Sequence, residues 1–170
     1  MIKIGAAPAT IDSPVEHLVA CHRRIEQRLD TLVNAAAHLE SDRATALEAI
    51  RRSIQFLDTS GALHTRDEEA SLFPRLRPKL TAAETEFVDS LEAQHVGAES
   101  IFAELKRLAE SPLEDSGFVA RYHESAIRLR SLYRDHIQAE DEILTVLAKR
   151  LLSGDELGEI SKEMRERRAG

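Results

Sequence analysis

Cysteine occurs once in the 170 residues, at Cys21, so no internal disulfide can staple this chain. A lone thiol fits a reducing compartment, and the expectation is a cytoplasmic protein. No stretch approaches the roughly 18 apolar residues that span a bilayer, and Met1 to Ser13 lacks the basic-then-apolar order of a signal peptide. A membrane is therefore not an expected partner. Positive charge is not in excess either, since the formal net charge is -7. The one basic tract, Lys162 to Arg168, also carries Glu163 and Glu166, reads as a solvated helix end, and makes nucleic acid an unexpected partner. Glycine and proline are scarce, at seven and five residues. What remains are long segments rich in Ala, Leu, Glu and Arg, with apolar residues recurring every three or four positions. That is the pattern of an all-α chain, and its length suits one domain with its own core.

The boundaries of the helices are written in capping residues. Ser13, Pro14 and Glu16 form a capping box with proline at the first helical position, so a first helix runs from Pro14 to about Leu39. A second follows Ser41-Asp42 and is expected to stop near Leu72, because Pro74 cannot continue a helix. Gly61 lies inside it, weakening it by roughly 1 kcal/mol against alanine or allowing close backbone approach. Thr81 and Glu84 form another box, opening a helix to about Ala109. Ser111-Pro112 and Asp115-Ser116-Gly117 then make a loop before a long helix from Phe118 to Leu152. The prediction is an antiparallel up-down four-helix bundle over residues 14–152. Residues 1–13 form an extension, and residues 153–170 a short charged fifth helix.

Three stretches place a histidine four residues before a glutamate: His64 and Glu68, His95 and Glu99, His136 and Glu140. Residues four apart share a helix face, so each pair offers an imidazole and a carboxylate to one point. The inward stripe of the first helix runs Leu18, His22, Ile25, Leu29, so His22 occupies an otherwise apolar place. In the second helix the stripe reads Leu57, Gly61, His64, Glu68, and in the fourth Tyr133, His136, Glu140, Ile143, Leu147. His95 is inward on the third helix, whereas Glu99 falls beside the inward Ala98 and reaches the centre only from the flank. A glutamate buried without a counter-charge is costly, so Glu68 and Glu140 require a partner. Four histidines and up to three glutamates are too many ligands for one tetrahedral zinc. Mixed imidazole and carboxylate ligation suits two iron ions, with manganese as second choice. The candidate metal ligands are His22, His64, Glu68, His95, Glu99, His136 and Glu140, with Asp141 as runner-up. His17, His38 and His123 are assigned to solvent, Cys21 to a buried thiol and Tyr133 to the core.

His22 in CHRRIE, His64 in HTRDEEASLFPRL, His95 in EAQHVGAE and His136 in HIQAEDEIL together resemble the hemerythrin-like, or HHE cation-binding, family over about Pro14 to Leu152. The resemblance implies a non-haem di-iron centre bridged by carboxylates and an oxo or hydroxo group. Glu68 and Glu140 would bridge, with the four histidines terminal. It further implies a small-molecule ligand, either dioxygen, hydrogen peroxide or nitric oxide, in a monomer or homodimer. Oxygen-carrying hemerythrins have a further histidine where Glu99 stands, and their fourth-helix carboxylate follows its histidine by five residues rather than four. With Glu99 as a ligand, harder anionic ligation would favour ferric iron, and with it reaction with oxygen or peroxide over reversible oxygen carriage. Peroxidase-like, catalase-like or oxidase turnover is one reading. A non-catalytic sensor or iron-binding module is the alternative, and an iron-centre repair protein ranks below both.

Overall fold

The structure is a computed structural model that describes residues 11–110 and 117–169. Five helices follow one another: α1 (Pro14–Ala37), α2 (residues 43–79), α3 (Ala82–Glu110), α4 (residues 118–151) and α5 (Gly154–Ala169). No strand occurs among the described residues. The start of the N-terminal extension, residues 1–10, and most of the loop expected before α4, residues 111–116, lie outside the described residues.

The caps act where their residue types place them. Ser13 Oγ accepts the Glu16 N–H at 3.4 Å, with Pro14 opening α1. Asp42 accepts from the Thr45 N–H at 3.3 Å to start α2. Thr81 and Glu84 exchange bonds in both directions, at 3.4 and 2.8 Å, and Ser153 and Glu156 do the same ahead of α5 at 3.2 and 2.8 Å. Each cap satisfies backbone donors that would otherwise be orphaned at a helix start.

Contrary to expectation, α2 does not stop at Pro74. A π-turn spans Glu68–Leu72, and the ladder returns to α geometry at Phe73–Leu76 before a 3-10 turn at Arg77–Lys79. Pro74 thus sits in the first turn after the widened segment, a place where its missing N–H and fixed φ are tolerated. π-turns also span Leu57–Gly61 earlier in α2 and Glu140–Leu144 in α4. The extra residue in the α4 turn slips the inward phase by one place. Leu144 is therefore buried, whereas Ile143, expected inward, is 44% exposed.

α1 packs along α2 and α4, and α3 packs along α4, whereas the seam between α2 and α3 is the loosest of the four. Two apolar clusters fill the interior. One contains Ile25, Leu29, Leu57, Leu105 and Leu129, and the other Val15, Leu18, Phe73, Leu91 and Leu144. His22, His64, His95 and His136 fall between these clusters along their helices, so a single polar layer is sandwiched between two greasy ones. Each fully buried leucine or isoleucine contributes roughly 2 kcal/mol, which holds that costly layer in place.

α5 corrects the expectation of a solvated end. Ile160 and Met164 are fully buried beside Ile11, Val15 and Leu18. Arg165 donates to the Ile11 carbonyl at 2.7 Å. Arg167 and Arg168 donate to the two oxygens of the fully buried Asp67 at 2.5 and 2.6 Å. The basic tract is a clasp on α2.

Candidate metal centre

Each helix of the bundle sends one histidine to the polar layer, and α2 and α4 each add a glutamate one turn later. His22, His64, Glu68 and Glu140 form one cluster, and Glu68, His95, His136 and Glu140 a second, so the two glutamates are shared. All six residues are buried. The carboxylates are split between the imidazole pairs. Glu68 turns Oε1 toward His64 Nε2 at 3.3 Å and His22 Nε2 at 3.9 Å, and Oε2 toward His95 Nε2 at 3.5 Å. Glu140 turns Oε2 toward His22 Nε2 at 3.1 Å and Oε1 toward His136 Nε2 at 3.1 Å.

His95 Nε2 and His136 Nε2 share a hydrogen bond at 3.0 Å, but the carboxylate oxygens are out of line for bonding to the imidazoles. All four carboxylate oxygens of Glu68 and Glu140, and His22 Nε2, are buried without a hydrogen-bond partner. A buried carboxylate left in that condition costs several kcal/mol. Cations between the donor atoms remove the penalty. Ligands bound at about 2.1 Å and at right angles to each other lie about 3.0 Å apart, close to the 3.0 Å between His95 Nε2 and His136 Nε2. The residues present therefore fit a metal ion at each histidine pair.

The far side of the imidazoles is fixed by neighbouring helices. His22 Nδ1 donates to Asp141 at 2.7 Å, His95 Nδ1 to Glu69 at 2.8 Å and His136 Nδ1 to the Gln94 side-chain oxygen at 2.8 Å. Donation from Nδ1 aims the Nε2 lone pair at the centre, as ligating imidazoles require. His64 Nδ1 has no partner. Asp141 in turn takes a bond from Arg23. Asp141 is thus not in the clusters, and its place is behind His22.

In the metal-free protein the imidazoles and carboxylates neutralise one another. Burial lowers the His22 pKa, but the carboxylates of Glu140 and Glu68 more than reverse this and raise it to about 10. Burial also opposes the charge on His95, and Glu68 with Glu69 raises its pKa to about 9. Fully buried His64 is held below the usual histidine range by desolvation. Burial pushes Glu68 up, yet His64, His22 and His95 hold it well below the usual carboxylate range.

Of the seven expected ligands, the structure brings together His22, His64, Glu68, His95, His136 and Glu140. It does not bring Glu99, which is exposed. Ala98 takes the inward position, and a step of one residue rotates Glu99 about 100° round α3 toward solvent. The expectation of a more anionic ligand set through Glu99 falls with it. Sequence reasoning missed Glu69, Asp141 and Gln94 as histidine partners. Their available signal was adjacency, because an acid directly follows each shared glutamate and Gln94 directly precedes His95.

A helical bundle with two imidazole pairs facing two shared, unpartnered carboxylates defines a cation-binding helical protein. The family model described as the hemerythrin HHE cation-binding domain matches residues 13–148, and the chain belongs to that family. A protein of Haemophilus influenzae, described only as uncharacterized, is similar at 26% identity over 168 residues, covering 94% of this chain and 92% of its own length. No helix among the described residues is long and apolar enough to cross a membrane.

Proposed function

We propose that this protein holds two iron ions, one at His22 and His64 and one at His95 and His136, with Glu68 and Glu140 shared between them. In this reading it reacts with small oxidants: dioxygen, hydrogen peroxide or nitric oxide. The observation that carries the reading is the set of four buried carboxylate oxygens without a hydrogen-bond partner, one facing each side of each histidine pair. Imidazole with carboxylate and no thiolate in the set suits iron, with manganese as the second choice. The bound iron would supply the redox chemistry. The chain supplies fixed ligands, imidazoles oriented by Asp141, Glu69 and Gln94, and apolar clusters on both sides that exclude water.

Metal analysis of the purified protein should find two irons per chain, and zero or one would sink the dinuclear reading. Hydrogen peroxide added to the reduced, loaded protein then separates an enzyme from a binder. Sustained peroxide loss with oxygen evolution identifies turnover. Iron binding with peroxide left intact identifies a sensor or iron-binding module.

A further inference from the structure

The two histidine pairs are not equally accessible. Beside His22 lies a void of about 10 Å³ lined by Val15, Leu18, Leu72 and Leu144, at the limit of holding one water. On the other side a cavity of about 350 Å³ opens in the α2–α3 seam and reaches His95 directly. Its volume has a plain origin in the sequence. Gly61, Ala62, Ala98 and Ala103 line it with little or no side chain, and Glu99 lies at its wall turned away from the clusters. Crowding does not require glycine at position 61, since an added Cβ would meet only Leu57 at 3.8 Å. The gap is open space.

Tyr133 closes the inner wall. Its ring stands edge-on to His136 with centroids 6.2 Å apart, and it lines the same cavity as His95. Its phenolic O–H is a hydrogen-bond donor. No hydrogen bond engages that donor among the described residues. An unengaged phenol beside a cavity that touches a metal-ligating histidine is suited to meet an incoming molecule.

We propose that small ligands enter through the α2–α3 cavity and bind on the His95 and His136 side of the centre, with Tyr133 as the positioning residue that orients them by donating a hydrogen bond. This rests on the iron-binding reading above. The probe is sodium azide, a small anion whose binding to ferric iron is followed by its charge-transfer absorption. Wild type, Ala62→Trp and Tyr133→Phe are loaded with ferric iron, and iron content and melting temperature are measured for each. Ala62 is exposed at the cavity, so the indole obstructs the route without altering the ligands. In Ala62→Trp azide association should slow by about tenfold or more. In Tyr133→Phe azide affinity should fall by about tenfold, the loss of one hydrogen bond to a charged acceptor. Wild-type association in Ala62→Trp overturns the route, and wild-type affinity in Tyr133→Phe overturns the role of the phenol. Both results leave the metal reading intact when two irons are present. A chain that takes up no iron overturns this inference and the metal reading together.

Discussion

At the scale of single residues, the centre depends as much on what stands behind the imidazoles as on what faces the metal. Asp141 and Glu69 accept from His22 and His95 at 2.7 and 2.8 Å, and loss of such a partner typically costs 10–100-fold in metal affinity. Asp141→Ala should therefore weaken iron binding by about that factor in a chelator competition. Glu99→Ala should leave it unchanged, and a comparable loss in Glu99→Ala would return that residue to the ligand set. The part these two acids play was not legible in the sequence because it lies between helices. A 100° offset does point Glu69 and Asp141 away from His64 and His136, but toward the histidine of an adjacent helix. Protons give a second check. His22 and His95 stand at about 10 and 9 in the metal-free protein, above the usual 6.5. Raised values of this kind contribute stability that is fully present below pH 6.5 and lost as pH rises through 9 to 10. Glu68 is depressed, so its contribution is present above the usual 4.5 and lost as pH falls through its lowered value. Metal must displace the protons on His22 and His95, while His64 is already neutral. Loading at pH 7 should release about two protons per chain, and iron affinity should rise with pH toward 9. Calorimetry in buffers of different ionisation heat reads this directly, and heats independent of the buffer would refute it.

At the scale of elements, the π-turns and the docking of α5 are what the sequence did not display. Of the three π-turns among the described residues, two begin at a shared glutamate, Glu68–Leu72 and Glu140–Leu144. A π-turn has no residue-type signature, so apolar periodicity ran straight through it and assigned Ile143 inward in place of Leu144. The helix starts were legible because capping is local chemistry between residues three apart, as at Ser13 and Thr81. α5 was legible as a helix, but its arginines were not legible as a clasp. Their partner, Asp67, is far away in sequence and looks like one more surface acid in TRDEE. In the fold Asp67 is fully buried, with Arg167 and Arg168 on its two oxygens and Ser71 bonded to both Arg167 and Glu163. Removing one partner of a buried ion pair costs about 3–5 kcal/mol. The arginines here are 16% and 22% exposed, so water recovers part of that loss. Asp67→Ala should destabilise the protein by about 2–3 kcal/mol, read as a lower urea midpoint. An unchanged midpoint would mean that α5 is held by Ile160 and Met164 alone.

At the scale of the whole molecule, the bundle is two halves joined through their charges. α1 with α2 supplies one histidine and then a His-x-x-x-Glu, and α3 with α4 supplies the same set in the same order. Each half thus brings a complete imidazole pair, while each glutamate serves both pairs. The His-x-x-x-Glu recurrence was visible in the sequence, but its sharing across halves is a property of the assembled bundle alone. The same arrangement makes the metal-free protein the weaker one. Without cations, four carboxylate oxygens lie unpartnered between the two apolar clusters, and only misaligned imidazoles offset their charge. Bound metal stabilises the folded state by mass action, by about 4 kcal/mol when free metal exceeds the dissociation constant a thousandfold. For a chain of this size that corresponds to roughly 8–16 °C in melting temperature. Exhaustive chelation should therefore lower the melting temperature by about 10 °C while the far-ultraviolet circular dichroism stays helical, because apolar packing in both clusters persists without metal. Restoring iron should recover the loss in wild type and fail to do so in a Glu68→Gln, Glu140→Gln double variant, whose neutral amides relieve the charge without offering a shared anionic ligand. Equal melting temperatures with and without chelator would show that the imidazole–carboxylate layer is self-sufficient and holds no structural metal.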